Sequence, residues 1–593
     1  MRKKALPSPF DVFRRVLVED FEYRPGPAGT LEKVLCYVGR DLKSGKTTKV
    51  WGPGTEDPGP LGPDDLLIAY GAGAECRARQ TLGWRPASNI LCLHAEYCRL
   101  VAGRPEKIYK SRGLEDAVRV FGIRHRFETT KSLWQGRACD PRPLTEDERS
   151  GMLEYCAADV DATAELFLAM ASRWATEYEM RAALFRGHFV QVNDRIQQFG
   201  IPIDGETWNT ISARRVELRE WFIRDYGFQD LFDGDKLKKK KFEDFVRSFA
   251  GNRWPRTEVA GMLKSDGETL ESMAEIYPEA QRFLDVHNAL STLKSSRFEV
   301  DPDGRARCYV HPFGTLTGRN APPSSRFIYS ASKWMRSIVV PAPGTALAYV
   351  DFTAQEFGIA AALSGDPQMW DAYQSGDVHM DFAIRAHLAP AGATKATHRD
   401  ARGIAKAVNL GIMYGQGAKG ISQKLKISEA KAGALKFAHQ RSYPAFWSFV
   451  DRTLASADIS GRILTPLAWG MELGPTTRKT TLFNFPMQGT GADLMRIVAI
   501  RLVERGIRLL ATIHDAFLIE APIAEIEAAV AVTRRVMRES SGELLKGREL
   551  ESDVMIVRPP HRYIDEEGLE MWNKLRRALV ELGEADPGLM VNE

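Results

Sequence analysis

The stretch ALAYVDF, residues 346–352, decides the fold of the second half of the chain. Its apolar residues predict a buried strand that places the Asp351 carboxylate where the strand ends. A second stretch, LLATIHDAFLI at residues 509–519, has two apolar runs that flank His514 and Asp515. This pattern predicts a hairpin with an aspartate at its tip. The two aspartates are then expected on neighbouring strands.

Asp351 and Asp515 offer the ligands that Mg²⁺ prefers. In phosphoryl transfer, two divalent ions roughly 3.5–4 Å apart activate the attacking hydroxyl and stabilise the leaving phosphate. Mg²⁺ takes oxygen ligands and keeps several waters, so two carboxylates and the phosphates of a substrate complete its coordination. A single aspartate is more often a turn residue than a ligand. The interpretation therefore depends on the residues between the two aspartates.

The segment between the two aspartates carries cations at helical spacing. Thr397 followed by Asp400 predicts a capping box that begins a helix. Residues at every fourth position then share one helix face: Arg402, Lys406, Leu410 and Tyr414. Such a stripe suits a nucleoside triphosphate, because the cations neutralise phosphate oxygens while the distal residues meet the sugar and the base. The alternative is an ordinary amphipathic helix with its cations in solvent.

Five segments in this order resemble the sequence motifs of DNA polymerase family A, the bacterial polymerase I type. The segment Asp351–Glu356 resembles motif A, Arg402–Gly415 resembles motif B, and Ile513–Asp515 resembles motif C. The segments Thr315–Arg319 and Asn484–Asp493 are similar to motifs that contact the primer, the template and the minor groove. Together these segments cover the last half of the chain.

The resemblance implies an α/β multidomain protein that contains a right-hand polymerase of palm, fingers and thumb. The thumb is implied to be the helical region 173–300, and the palm and fingers to occupy 301–593, with the fingers at about 366–450. Two Mg²⁺ ions, for which Mn²⁺ can substitute, are implied to bind Asp351 and Asp515. These two aspartates are implied to be catalytic together with Lys406.

The same resemblance implies roles for further side chains. Glu356 is implied to be the steric gate that crowds a ribose 2′-hydroxyl, and His514 to support the primer terminus. The dNTP is implied to meet Phe352, Glu356, Arg402, Lys406, Leu410 and Tyr414. The DNA is implied to meet Arg319, Asn484, Gln488 and His514. A primed DNA template and dNTPs are therefore the expected partners.

Three residues depart from the family pattern. Ala516 stands where motif C continues with a glutamate, so we expect slower or altered catalysis rather than none. Leu410 replaces the usual phenylalanine or tyrosine, which bears on discrimination against dideoxynucleotides. Gly358 stands where an arginine often follows the motif A glutamate.

The sequence near the N-terminus predicts a second carboxylate site. Residues 16–22, VLVEDFE, predict a strand whose alternation places Asp20 and Glu22 on one face. Further along the chain, a helical stretch places Tyr155 and Asp159 one turn apart. Two carboxylates together with a tyrosine–aspartate pair suit two-metal hydrolysis in which the tyrosine orients the attacking water.

These N-terminal residues resemble the DEDDy-type 3′–5′ exonuclease domain that precedes the polymerase in this family. The resemblance implies an RNase H-like fold for residues 1–172 and a catalytic role for Tyr155. The implied metal ligands are Asp20, Glu22 and Asp159. The middle aspartate of the family is implied near residues 66–80, where the sequence has Glu75 instead, as a supporting carboxylate. We favour an active exonuclease over a structural remnant.

The whole chain has the composition of a cytoplasmic protein with several domains. Its 593 residues are too many for a single hydrophobic core, which predicts several domains. No apolar run is long enough to span a bilayer, and residues 1–10 lack the apolar stretch of a secretory signal. The seven cysteines show no zinc-finger spacing, which predicts reduced and mostly buried thiols. Lys236 and residues 238–241 form a basic block that is either a solvated surface or a contact with the DNA backbone.

Other interpretations stay open. A single-subunit RNA polymerase shares the palm and a similar fingers helix, but Glu356, the exonuclease-like region and Thr315–Arg319 favour DNA synthesis. A DNA-binding protein with a disabled palm, acting mainly as an exonuclease or an interaction protein, would account for Ala516. We expect instead a monomeric proofreading DNA polymerase without membrane association. Because no 5′ nuclease region precedes the exonuclease-like residues, we expect a role in viral or prophage replication, in the host cytoplasm.

Overall fold

The computed structural model describes residues 8–26, 31–104, 109, 111–124, 131–257 and 261–588. Residues 1–7, part of the N-terminal stretch that lacks the pattern of a secretory signal, lie outside the described residues. Strands and helices alternate in the N-terminal part. The strands are β1 (Arg15–Pro25), β2 (Leu31–Asp41), β3 (Thr47–Trp51), β4 (Asp65–Ala69) and β5 (Asn89–Cys92). The helices are α1 (Ala72–Thr81), α2 (Leu93–Val101), α3 (Leu114–Val120), α4 (Lys131–Cys139) and α5 (Glu146–Met170).

β1 is the central strand of a mixed five-stranded sheet in the order β3-β2-β1-β4-β5. It pairs antiparallel with β2 and parallel with β4, which pairs parallel with β5. Val16 and Val18 of β1 pack in one core with residues of α5, and Asp20 and Glu22 continue that face of the strand. A capping box at Thr145 begins α5. The strand and the helix predicted around these carboxylates are both confirmed.

The middle of the chain is mainly helical, as the sequence predicts. The helices are α6 (Glu177–Phe199), α7 (Gly205–Ala213), α8 (Arg215–Asp225), α9 (Lys239–Ala250), α10 (Gly267–Ala274) and α11 (Pro278–Ser295). Short strands lie among them: β6 (Ile201–Pro202), β7 (Phe232–Asp233), β8 (Lys236–Leu237) and β9 (Arg305–Ala306). α6 packs against β5 and α1, whereas the helices after it pack around Trp208, Phe222 and Phe283. The basic block is exposed around the start of α9, where Phe242 is buried.

Strands and helices mix again in the last half of the chain. The strands are β10 (Thr345–Phe352), β11 (Arg462–Leu464), β12 (Gly470–Glu472), β13 (Arg508–Ile513), β14 (Ala516–Pro522) and β15 (Ser552–Val557). The helices are α12 (Gln355–Ser364), α13 (Pro367–Gln374), α14 (Val378–Arg385), α15 (Arg399–Met413), α16 (Ala418–Leu425), α17 (Glu429–Ser442), α18 (Pro444–Ser460), α19 (Lys479–Glu504), α20 (Ile526–Leu544) and α21 (Leu569–Glu581).

A four-stranded antiparallel sheet in the order β13-β14-β10-β15 organises this half. β13 and β14 form the predicted hairpin, and His514 and Asp515 make its turn. β10 is a central strand whose residues Ala346 to Ala348 are fully buried. The apolar run of residues 346–352 therefore forms the strand that the sequence predicts, and its aspartate lies near the exit.

The predicted capping box at Thr397 is wrong. α15 begins at Arg399 after His398, and no side chain caps its first amides. The Thr397 hydroxyl instead lies 3.0 Å from the Thr394 amide, which donates to it in the preceding turn. That turn occupies the hydroxyl, so it is not available to the amide of Asp400.

The cysteines are unpaired, and five of the seven are buried: Cys36, Cys76, Cys92, Cys98 and Cys156. This confirms the prediction of reduced, mostly buried thiols. In the part of the chain that the structure describes, none of the helices combines the length and the apolar character needed to cross a membrane.

Candidate active site

Asp351 and Asp515 lie side by side at one end of the four-stranded sheet. β10 pairs with β14 so that Asp351 is opposite Ala516, and the Phe352 amide donates to the Asp515 carbonyl at 3.2 Å. Burial first, and then the neighbouring Asp515, raise the pKa of Asp351 to about 7. Asp351 Oδ1 is buried and accepts no hydrogen bond from the described residues. Two adjacent carboxylates with an unsatisfied oxygen fit a divalent cation.

The predicted stripe of cations is present on α15. Arg402 Nε donates to Asp377 Oδ2 at 2.6 Å, and this bond does not engage the two Nη groups of the guanidinium. Lys406 is exposed, Leu410 is partly buried, and Tyr414 directly follows the last residue of the helix with 48% of its surface exposed. One face of α15 therefore presents two cations and an aromatic ring outside the core, as the sequence predicts.

His379 on α14 is a site residue that the sequence analysis missed. Its Nδ1 lies 3.3 Å from Asn409 Nδ2 of α15. Burial first, then Arg402, and to a lesser degree Lys406 lower the pKa of His379 to about 4. A neutral imidazole thus lies beside both cations. The linear sequence offers no signal for this, because only the packing of α14 against α15 brings the histidine there.

Glu356, Arg319, Gln488 and Tyr414 form a group close to Asp515. Arg319 Nη2 donates to Glu356 Oε1 at 3.2 Å. Burial first, and then Glu356, raise the pKa of Tyr414, whereas Arg319 and a hydrogen bond with Gln488 oppose the rise. The structure therefore brings together residues that the sequence analysis assigned to the sugar, the base and the minor groove.

The loop Thr315–Arg319 is held in place from two sides. Arg496 of α19 donates to the Gly318 carbonyl at 2.7 Å. Arg112, in the N-terminal part of the chain, donates to the Gly314 carbonyl at 2.9 Å. The N-terminal part thus contacts the loop that carries Arg319.

Asn484 and His514 differ in how accessible they are. Asn484 is 6% exposed, and its Nδ2 donates to the Met413 carbonyl at 2.8 Å, which fixes the end of α15. His514 is exposed at the hairpin tip with a backbone φ of 52°. In this structure a ligand can reach His514 directly, whereas Asn484 is engaged within the protein.

Close packing around α12 explains why a glycine occupies position 358. A Cβ atom at this position would lie 2.6 Å from the Leu550 side chain and 2.9 Å from the ring of Tyr373. α12 therefore approaches its neighbours too closely for the arginine that is common at this position in the family.

Asp20, Glu22 and Asp159 converge beside the N-terminal sheet. Each offers a ligand oxygen, and these oxygens lie within 4.8 Å of one another. Burial first, and then Asp159, raise the pKa of Asp20 to about 8. Burial and the Asp20 charge raise the pKa of Glu22 well above its usual range. Three crowded carboxylates, two of them with raised pKa values, have the donor chemistry of a divalent-cation site.

Tyr155 and Glu75 border this cluster. Tyr155 is 1% exposed; burial first, and then Asp159, which is also its hydrogen-bond partner, raise its pKa. Glu75 on α1 is 6% exposed, and burial followed by the Asp20 charge raises its pKa well above its usual range. Its Oε2 is buried and has no hydrogen-bond partner among the described residues. Glu75 thus lies near Asp20, but it is not part of the group that shares the 4.8 Å spacing in the described chain.

The known proteins that are similar to this chain in sequence are DNA polymerases. The family model of DNA polymerase family A matches residues 252–554, which is half of the chain. A thermostable DNA polymerase I of Thermus thermophilus is 28% identical over 55% of this chain and 41% of its own length. A DNA polymerase of Mycobacterium phage L5 is 26% identical over 59% of this chain and 55% of its own length. The chain thus spans about two fifths of the length of the Thermus thermophilus relative.

A solved structure shares the fold over nearly the whole chain. It is described as the POL domain of Pol1 from M. smegmatis in complex with DNA primer-template and dNTP. The TM-score is 0.68 at 18% sequence identity, and the match covers 93% of this chain and 96% of the other. The N-terminal sheet and the four-stranded sheet therefore belong to a known arrangement of the backbone.

Proposed function

Because the chain belongs to DNA polymerase family A, we propose that it adds deoxynucleotides to the 3′ end of a primer on a DNA template, with divalent cations at Asp351 and Asp515. The observation that carries this proposal is the pair of adjacent carboxylates, with the unpartnered Asp351 Oδ1, in a chain that also presents the cations of α15. Bound cations would supply activation of the primer hydroxyl and stabilisation of the leaving pyrophosphate.

The residues of α15 and α14 bind the incoming nucleotide in this proposal. The Arg402 guanidinium is oriented by Asp377 through Nε and offers its Nη groups to phosphate oxygens. Lys406 adds a second positive charge and acts in catalysis by neutralising charge on the phosphates. His379, beside both cations, donates a hydrogen bond to the same phosphates. The base and sugar meet Phe352, Leu410 and Tyr414.

Glu356 selects the sugar in this proposal. The bond from Arg319 fixes its carboxylate beside Tyr414, so a ribose 2′-hydroxyl would clash with a side chain that cannot move away freely. The duplex lies along Arg319, Gln488 and His514. Asn484 acts on the DNA indirectly, by holding the end of α15.

The layout of the domains follows from these roles. The four-stranded sheet is the palm, helices within about 366–450 are the fingers, and the helical region 173–300 is the thumb. Within that thumb, the exposed lysines at the start of α9 contact the DNA backbone.

We propose 3′–5′ exonuclease activity for the N-terminal region, residues 1–172. Asp20, Glu22 and Asp159 would hold divalent cations, and their close spacing supports this assignment. Tyr155 orients the attacking water, and Glu75 supports the cluster with a carboxylate. Both cation sites are expected to take Mg²⁺, with Mn²⁺ as a substitute. The similarity to a phage polymerase supports a role in viral or prophage DNA replication.

The test is extension of a labelled primer with Mg²⁺, with and without dNTPs, by the wild-type protein and two variants. Asp515→Ala is expected to lose extension and keep primer degradation, and Asp20→Ala to show the reverse. Tight primer binding without extension by the wild-type protein would contradict the proposal and favour a binding protein or a nuclease with a disabled palm.

A further inference from the structure

Asp351 has a different neighbour on each side of the sheet. On one side, the pairing of β10 with β14 places Ala516 directly opposite Asp351. On the other side, the pairing of β10 with β15 places Asp553 directly opposite it. Residues that lie directly opposite in antiparallel strands direct their side chains to the same face. Asp351 therefore has a methyl group on one flank and a carboxylate on the other.

The backbone around Asp553 is fixed to the turn that follows Asp351. The Thr353 amide donates to the Glu551 carbonyl at 2.9 Å, and Thr353 Oγ1 donates to Asp553 Oδ2 at 3.1 Å. The Glu551 amide in turn donates to the Tyr373 hydroxyl at 2.8 Å. These contacts hold the Asp553 carboxylate next to the Asp351 strand.

Asp553 brings a further negative charge to the site. Its side chain is exposed, and no lysine or arginine of the described chain makes an ion pair with it. Its charge also contributes to the raised pKa of Asp351, after burial and Asp515. A carboxylate placed beside two others is unfavourable unless a cation from outside the protein compensates it.

We propose that Asp553 is the third carboxylate of the cation site at Asp351 and Asp515. It would take the role of the motif C glutamate that other members of the family have at the position of Ala516. In the described chain the ligand oxygens of the three carboxylates are not all within 4.8 Å of one another, so Asp553 would act on a bound cation from its outer shell. Mg²⁺ keeps several of its waters, and a carboxylate in the outer shell accepts hydrogen bonds from them. This inference rests on the proposed function.

The test is a Mn²⁺ titration followed by electron paramagnetic resonance in the Asp20→Ala background, which removes the other cluster. Asp553→Asn is expected to weaken Mn²⁺ binding about tenfold, the usual effect of losing an outer-shell partner. Asp553→Glu is expected to keep most of the affinity, because it keeps the charge. Glu551→Gln is the matched control, since it removes one exposed carboxylate from the same segment, and it is expected to bind as the parent does.

Asp515→Ala separates this inference from the proposed function. If Asp515→Ala leaves Mn²⁺ binding unchanged, the cation site at Asp351 and Asp515 is itself wrong. If Asp515→Ala loses the binding while Asp553→Asn keeps it, only the role of Asp553 is overturned. A fall that is equal in Asp553→Asn and Glu551→Gln would also overturn it, because it would reflect net charge alone. Thermal unfolding of each variant shows that the fold is intact.

Discussion

The two carboxylate sites of this protein are built on different principles. In the N-terminal site, β1 and α5 bring three carboxylates within 4.8 Å of one another. In the C-terminal site, Asp351 lies on β10, Asp515 lies in the hairpin turn that leads into the adjacent strand β14, and Asp553 lies exposed on the edge strand β15. The first site has three carboxylates close enough to hold one cation together. The second has a close pair with a third carboxylate farther away, so that waters and substrate phosphates would complete more of the coordination of a bound cation.

The largest effect that would sharpen this comparison is expected for Lys406→Ala. Losing a cation that stabilises transition-state charge costs several kcal/mol, so dNTP incorporation is expected to fall roughly a hundredfold or more. Primer degradation is expected to be unchanged, because the N-terminal site uses no cation of α15. Single-turnover incorporation over a range of dNTP concentrations measures the effect. A loss of DNA affinity with normal dNTP use would show that the stripe binds DNA instead.

A smaller effect is expected for Glu356→Ala, which removes the proposed steric gate and changes the C-terminal site alone. Ribonucleotide incorporation relative to deoxynucleotide incorporation is expected to rise roughly a hundredfold, the upper range of discrimination by pocket shape. Competition between rNTP and dNTP on one template measures this ratio, and dNTP incorporation is the internal control. Unchanged sugar selectivity would remove the gate assignment.

Arg112→Ala tests the contact between the two regions. Its bond to the Gly314 carbonyl supports the loop that carries Arg319, so primer extension is expected to weaken about tenfold, as for loss of a charged hydrogen bond. Arg99→Ala, which removes another arginine of the same region that bonds Glu96, is the control and is expected to leave extension unchanged. Equal loss in both variants would indicate general destabilisation of the N-terminal part.

The smallest effects concern the metal-free protein and its pH dependence. The pKa of Asp20 is raised to about 8 and that of Asp351 to about 7. The stability that these two carboxyl groups contribute is therefore fully present below their ordinary pKa, at about pH 4, and is lost as the pH rises through the raised values. Asp20→Asn is therefore expected to raise the melting temperature at pH 8 by more than Asp351→Asn does, at about 2–4 °C per kcal/mol. Calorimetry at pH 5 and pH 8 with a chelator tests this, and an increase at pH 5 alone would contradict it.

Local periodicity was enough to predict the strands that carry the aspartates. The alternation in residues 16–22, the hairpin around Asp515 and the four-residue stripe on α15 are properties of single segments, and the structure confirms them. The prediction of a capping box was wrong because the Thr397 hydroxyl accepts a hydrogen bond from the Thr394 amide in the preceding turn. The competition between two local hydrogen bonds is not visible in the spacing of residue types.

The residues that were missed depend on contacts between segments. Asp553 reaches Asp351 only through the register of β15 on β10, and His379 reaches Arg402 only through the packing of α14 on α15. The same holds for α6, whose packing against β5 cannot be read from its helical pattern. Tertiary register and helix packing thus decided the part of the site that sequence reasoning could not supply.

We propose that Asp351 holds cations for nucleotide addition at a site separate from the N-terminal cluster. The most direct measurement is single-turnover dNTP incorporation by Asp351→Ala, with primer–template affinity determined on the same sample. We predict that incorporation is lost while DNA affinity and primer degradation stay at the wild-type level. Retained incorporation in Asp351→Ala would contradict the account, because the catalytic cations would then bind elsewhere in the chain.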